Sequence, residues 1–203
     1  MKYIIASNNP AKRAELEKIL GDLGIEIATV KELGMDAPDP EENGATFEAN
    51  ALIKAEAFVK ASGMPVIADD SGLCVDALGG RPGVHSARYG GDHDPASAIR
   101  TLLGELDGVP EEKRTARFEC HIVCLYPDGR RVDAHGTCEG YIAAEPRGNG
   151  GFGFDPVFLL ADGRCFGEMS ADEKQAVSHR GNALRELRRR LGDGPAGCAL
   201  PVL

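Results

Sequence analysis

The sequence predicts an α/β fold with a mixed sheet, on three observations. Short apolar strand segments alternate with amphipathic helical segments over the first half. Two long alternating segments flank a single Pro-Asp-Gly-Arg turn in the second half. A capping-box sequence then opens a helical C-terminal region. The first pattern gives parallel strands with helical crossovers and the second gives an antiparallel hairpin, so both pairings meet in one sheet.

Residues 2–6 (KYIIA) read as a short buried strand, and Pro10 to Leu20 as an amphipathic helix entered through Ser7-Asn8-Asn9. IEIATV at 25–30 alternates as a second strand, and DAPDPEENG at 36–44 is a loop dense in Pro, Asp and Gly. Thr46 can cap a helix over 47–61 that stops at Gly63, and PVIAD at 65–69 is a third strand that ends in acids at a glycine turn. After a turn at 79–83, Asp94-Pro95 opens a helix to about Leu106. Residues 115–126 and 131–143 form the hairpin. GNGGFGFDP at 148–156 is a glycine loop leading into VFLL, and Ser170 to Glu173 has the capping-box form. Residues 1–203 make one domain, with a tail from about 192 expected to fray because Gly and Pro are frequent there.

Hydrophobic residues at 42% and charged residues at 27% suit a globular chain in water, and no apolar run reaches membrane-spanning length. MKYIIASNNPAKRAE offers too short an apolar run for a signal-peptide core, so a cytoplasmic location is expected and no membrane partner. The scattered cysteines, without a Cys-x-x-Cys pair, are expected to be reduced and mostly buried. A net charge of −9 argues against a nucleic-acid polymer as partner, since such binding needs a broad basic surface. A small anionic ligand is still compatible, provided particular cations form a local positive pocket.

The sharpest chemical signal is Asp69-Asp70-Ser71 in PVIADDSGLCV. Carboxylate and hydroxyl oxygens are hard ligands that suit Mg²⁺, although Asp, Ser and Gly also simply make turns. Four further segments could complete a pocket for a phosphate compound. Ser7, Asn8, Asn9, Pro10, Ala11 and Lys12 lie at a helix start whose amides and ammonium could hold phosphates, with an Asn cap as the plainer reading. Glu41-Glu42-Asn43-Gly44 precedes a helix carrying Glu48, Asn50 and Lys54, so an acid from this loop and one from the Asp pair could share a Mg²⁺; a solvated acidic loop is the alternative. In Gly151-Phe152-Gly153-Phe154-Asp155-Pro156 the aromatic rings offer stacking faces and Asp155 an acceptor, unless the phenylalanines pack in the core. Lys174, His179 and Arg180 concentrate donors near a helix, as phosphate or carbonyl recognition requires and as an ordinary surface also shows.

Taken together and in order, SNNPAK, EENGATFEANALIKA, IADDSGLCVDALGGRPGVHSARYGG, GGFGFDPVF and EKQAVSHRGNAL resemble the inosine/xanthosine triphosphate pyrophosphatase family, the Ham1-like group, from Ile4 to about Leu187. The resemblance implies a long twisted mixed sheet with flanking helices, two lobes around a central active-site cleft, and a homodimer. It implies hydrolysis of deaminated purine nucleoside triphosphates (ITP, dITP, XTP, dXTP) to monophosphate and pyrophosphate with Mg²⁺. Position by position, it makes Ser7 to Lys12 the triphosphate loop, Asp70 the catalytic acid that also meets the metal, and Glu41 the second metal carboxylate, with Glu42 adjacent. Lys54, Ser71, Phe152, Gly153, Phe154, Asp155, Lys174, His179 and Arg180 become substrate contacts, with a stacking ring at Phe154, where many relatives carry Tyr or Trp. Two alternatives stand beside this expectation: a Maf-like pyrophosphatase preferring pyrimidine or modified nucleotides, and a non-catalytic nucleotide-binding regulator.

Overall fold

The computed structural model describes residues 1–7, 9–91 and 94–192; Asn8, Cys198 and the tail expected to fray from about 192 onward, past Gly192, lie outside the described residues. Six strands form one sheet in the order β2-β1-β3-β4-β5-β6. They are β1 Lys2–Ile5, β2 Glu26–Ala28, β3 Val66–Val75, β4 Thr115–Leu125, β5 Arg131–Ile142 and β6 Phe158–Leu159. β1 pairs in parallel with β2 and β3, and every other pairing is antiparallel, so the expected mixed sheet is present.

The helices form where local chemistry starts and stops them. α1 (Pro10–Leu20) begins at Pro10 with Asn9 as its cap, whose side chain accepts from the Ala11 amide at 2.9 Å. α2 (Phe47–Ser62) starts at Thr46 and ends at Gly63, whose φ of 64° is the left-handed conformation that terminates helices. α3 (Pro95–Glu105) is capped by Asp94, and α4 (Ala171–Val177) carries the reciprocal Ser170–Glu173 capping box. The chain turns extended at Ser178 before α5 (His179–Gly192), and the Ser178 hydroxyl accepts from the Gly181 amide at 3.1 Å. The single helical region expected at the C-terminus is therefore two helices, and the break places His179 and Arg180 in the first turn of the second.

Three apolar clusters hold the layers together. α1 and α5 cover one face of the sheet through Leu16, Leu20, Ala183, Leu184 and Leu187, packed on Ile67, Cys120 and Ile122. On that same face, further along the strands, Leu73, Val75, Ala116 and Phe118 meet α3 and the phenylalanines Phe154, Phe158 and Phe166. α2 covers the opposite face, with Ala51, Ala55 and Phe58 on Val66, Ala68 and Val123. The two clusters on the first face leave Asp69 and Ser71 between them. The cysteines of the described residues are free and buried.

One expectation is corrected. β3 does not end at the acids; Asp69, Asp70, Ser71 and Gly72 pair in register with Ile122, His121, Cys120 and Glu119. Gly72 is there for close approach: a Cβ would lie 2.5 Å from the Gly83 carbonyl oxygen and the Ser86 hydroxyl. That hydroxyl accepts from the Leu73 amide at 2.9 Å, which locks the 83–88 turn across the strand. Gly136 plays the same part in β5, where a Cβ would stand 2.3 Å from backbone atoms of His179 and Ala183. Since backbone on α5 cannot yield as a side-chain tip can, Gly136→Ala is expected to cost about 2–3 kcal/mol, or about 4–12 °C of Tm by calorimetry. Gly104→Ala, in α3 where a Cβ meets nothing within 4 Å, is expected to raise Tm slightly.

Candidate active site

Successive residues of a strand point to opposite faces, so the two acids of β3 enter different surroundings. Asp69 faces α1 and α5. Its carboxylate accepts from Lys12 Nζ at 2.9 Å and from Arg180 Nε at 3.3 Å, and Arg180 also donates to the Ser71 hydroxyl at 3.1 Å. Glu15 of α1 adds a carboxylate oxygen 3.7 Å from the Arg180 guanidinium. Burial alone would raise the Asp69 carboxyl, but Lys12, Arg180 and Lys54 outweigh it and hold the group well below the usual carboxylate range.

Asp70 faces α2. Asn50 Nδ2 donates to it at 3.1 Å, and Lys54 Nζ lies 3.5 Å from its other oxygen while bonding Glu42 at 2.7 Å. Asn50 also accepts from the Gly44 amide at 2.8 Å, so one buried amide ties the acidic loop to the catalytic candidate. Burial pushes the Asp70 carboxyl above its ordinary value, and Lys54 and Asn50 only partly offset this. Lys54 responds in the opposite sense: burial alone would lower it, yet Asp70 and Glu42 raise it, so the ammonium stays charged. Asp70 and Glu42 supply oxygen donors alone, a donor set that fits Mg²⁺.

The remaining expected residues gather at the first-face side of Asp69. Asp155 is buried, and its Oδ2 accepts from the Phe152 amide at 2.7 Å and from Lys174 Nζ, which closes the glycine loop and aims the lysine. Phe152 is 49% exposed, with Lys174 Nζ 4.5 Å and the Arg180 guanidinium 5.8 Å from its ring centre. His179 stacks on Phe118 at 4.7 Å, is buried, and has its Nδ1 without a hydrogen-bond partner. Burial, then the neighbouring Arg180 and Lys174 charges, hold its pKa well below the ordinary imidazole value, so the ring is neutral at pH 7.

The surroundings of the other expected residues differ from one another. Glu42, not Glu41, meets Lys54 beside Asp70, while Glu41 is exposed. Phe154 is not an available stacking face: it is 4% exposed and sits edge-on to Tyr89 in the core, because apolar area is scarce in this chain and the core takes the ring. Phe152 is the open ring. Asn9 and Ser7 are engaged within their own loop, as helix cap and as acceptor from the Asn9 amide at 3.2 Å, with Pro10 and Ala11 as the first helical residues, while Lys12 turns to Asp69. Gly153 lies between the two rings with φ 59°. Asp69, a candidate Mg²⁺ ligand in the sequence, is bound by Lys12 and Arg180, and Asn50 joins the site as a further contact of Asp70. The signal for Asn50 was present: Asn50 and Lys54 are polar residues on the Phe47, Ala51, Ala55, Phe58 stripe that faces the core.

The sequence profile of the Ham1 family matches residues 3–190. The chain belongs to the Ham1 family. It is 50% identical over 188 residues to a dITP/XTP pyrophosphatase of Geobacillus kaustophilus, covering 92% of each chain. It is 47% identical over 190 residues to the enzyme of that name from Bacillus subtilis, covering 93% of this chain and 96% of that one. The solved structure of a HAM1 protein from Coxiella burnetii matches with a TM-score of 0.88 at 40% identity, over 96% of this chain and all of that one. No helix among the described residues of this Ham1-family chain is long and apolar enough to cross a membrane.

The two acids predict opposite stability effects. An ionised Asp69 stabilises fully above its unfolded value near 3.9, and that contribution is lost as pH falls toward its lower folded value. Asp69→Asn leaves Lys12 without its counter-charge and Arg180 with only Glu15 at 3.7 Å, and is expected to cost about 3–5 kcal/mol at pH 7 in urea unfolding. It should also lack the wild-type loss of stability below about pH 4. Asp70→Asn removes a charge that burial disfavours, and its urea midpoint is expected to be unchanged or higher.

Proposed function

We propose that the protein hydrolyses deaminated purine nucleoside triphosphates, ITP, dITP and XTP, at the α-phosphorus, yielding the monophosphate and pyrophosphate. The observation that supports this most is the juxtaposition on β3: a phosphate-facing cation set held by Asp69 next to a desolvated acid, Asp70, held by α2. The pyrophosphatase names of the relatives point to the same reaction, and neither the Maf-like nor the regulator alternative is favoured.

The triphosphate would lie along Lys12 and the α1 start, with Lys54 and Lys174 offsetting negative charge as the pyrophosphate leaves. When bound, Mg²⁺ at Glu42 and Asp70 would withdraw charge from the phosphate oxygens. Asp70 orients a water and takes its proton; a raised carboxyl pKa brings this base nearer to working pH. The water oxygen bonds to the α-phosphorus as the bond to the bridging oxygen breaks. Asn50 and Lys54 each hold one oxygen of the Asp70 carboxylate and so fix its orientation.

Base choice follows from donors around an exposed ring. The base stacks on Phe152, and Lys174, Arg180 or neutral His179 can donate to the 6-keto oxygen of hypoxanthine or xanthine. Adenine carries an amino donor at that position, so a buried donor of the site would be left unpaired. The proposed assembly is a homodimer and the proposed location the cytoplasm.

Product analysis with dITP, XTP, GTP and ATP, with Mg²⁺ and with EDTA, tests the assignment. Monophosphate and pyrophosphate from dITP and XTP, abolished by EDTA, is the expected result; orthophosphate release or a pyrimidine preference would refute it. Asp70→Asn is expected to lower kcat by about 10² or more. Glu42→Gln should raise the Mg²⁺ concentration for half-maximal rate by about tenfold, while Glu41→Gln leaves it near wild type. The reverse ranking would return the metal role to Glu41.

A further inference from the structure

The β4–β5 hairpin carries a second set of ligating side chains. His121 and His135 stand directly opposite each other in register, with ring centres 4.1 Å apart at 32°. Glu119 lies two residues along β4 on the same face, its Oε2 3.7 Å from His135 Nε2. One ligand atom from each of the three residues lies within 4.8 Å of the other two. Arg117 occupies only the other Glu119 oxygen, donating from Nε to Oε1 at 2.6 Å. α2 does not cover this cluster: His135 is exposed, His121 and Glu119 are half-buried, and an open groove of about 500 Å³ between Thr46, Glu48 and Arg81 reaches Glu119 and His121.

We propose that Glu119, His121 and His135 bind a first-row transition-metal dication of the Zn²⁺ type, beside the Mg²⁺ position proposed at Glu42 and Asp70 and sharing no ligand with it, His121 being the cross-strand neighbour of Asp70. Two imidazoles and a carboxylate form a borderline donor set that prefers Zn²⁺ over Mg²⁺, which takes oxygen. Three protein ligands leave one position open to water from the groove. A tetrahedral ion with bonds of about 2.0–2.2 Å needs its ligand atoms about 3.3 Å apart, so side-chain rotation suffices and the paired strands stay in place. Cys74 also lines the groove as a buried thiol, so its contribution has to be separated from that of the imidazoles. An ion here joins β4 to β5 and stabilises the folded chain by mass action.

Calorimetric titration of the EDTA-stripped full chain with ZnCl₂ and, separately, MgCl₂ tests the site. One Zn²⁺ per chain with Kd below about 10 μM is expected, weakened at least about thirtyfold in the His121→Ala/His135→Ala variant and unchanged in Cys74→Ser. Zn²⁺ should raise the wild-type Tm but not that of the double variant, and Mg²⁺ should not compete at this site. The double variant should keep the wild-type far-ultraviolet circular dichroism and a cooperative thermal transition, which shows that it folds. Equal Zn²⁺ affinity in wild type and double variant, loss of binding in Cys74→Ser, or no wild-type binding below about 100 μM would each overturn the proposal.

Discussion

The site depends on the buried carboxylate of Asp69, held by Lys12 from α1 and Arg180 from α5. Taking such ions out of water costs several kcal/mol each, and mutual attraction with well-placed hydrogen bonds has to offset it. The consequence is geometric. Lys12 and Arg180 come from opposite ends of the sequence, and the shared carboxylate holds both with little freedom. Ser71 and Glu15 complete the hold on the guanidinium.

One residue further along β3, the alternation of a strand reverses everything. Asp70 meets a single cation shared with Glu42 and an amide rather than two dedicated cations, and burial dominates its titration. Two adjacent aspartates have pKa values displaced in opposite directions: the lowered one anchors cations, and the raised one has the character that the proposed general base needs. A register slip of one residue would exchange these surroundings, which is why the long β3–β4 ladder through the acids matters for chemistry as well as for stability.

Most of the fold was legible in the sequence because the periodicities were strong and the caps chemically explicit. Asn9, Thr46, Asp94 and Ser170 all cap the helices expected to begin after them. The end of β3 was misplaced because Asp, Ser and Gly are turn formers locally, while here a distant segment, 83–88, packs over Gly72 and the ladder satisfies the backbone. The break at Ser178 was hidden for a related reason, since its cap serves a helix whose first residues are themselves polar site residues. Within the site, residue types and segments were readable but not partners. Glu41 and Glu42 are equivalent in composition, and only the reach of Lys54 separates them. Phe152 and Phe154 likewise differ only in which one the core takes.

In the proposed reaction, water directed by the residues around Asp69 and Asp70 bonds to the α-phosphorus of a deaminated purine triphosphate. Hydrolysis of dITP in ¹⁸O-labelled water, with both products analysed by mass, tests it most directly. One labelled oxygen in the monophosphate and none in the pyrophosphate is the expected result. Label in the pyrophosphate, or in released orthophosphate, would place the attack on another phosphorus and contradict it.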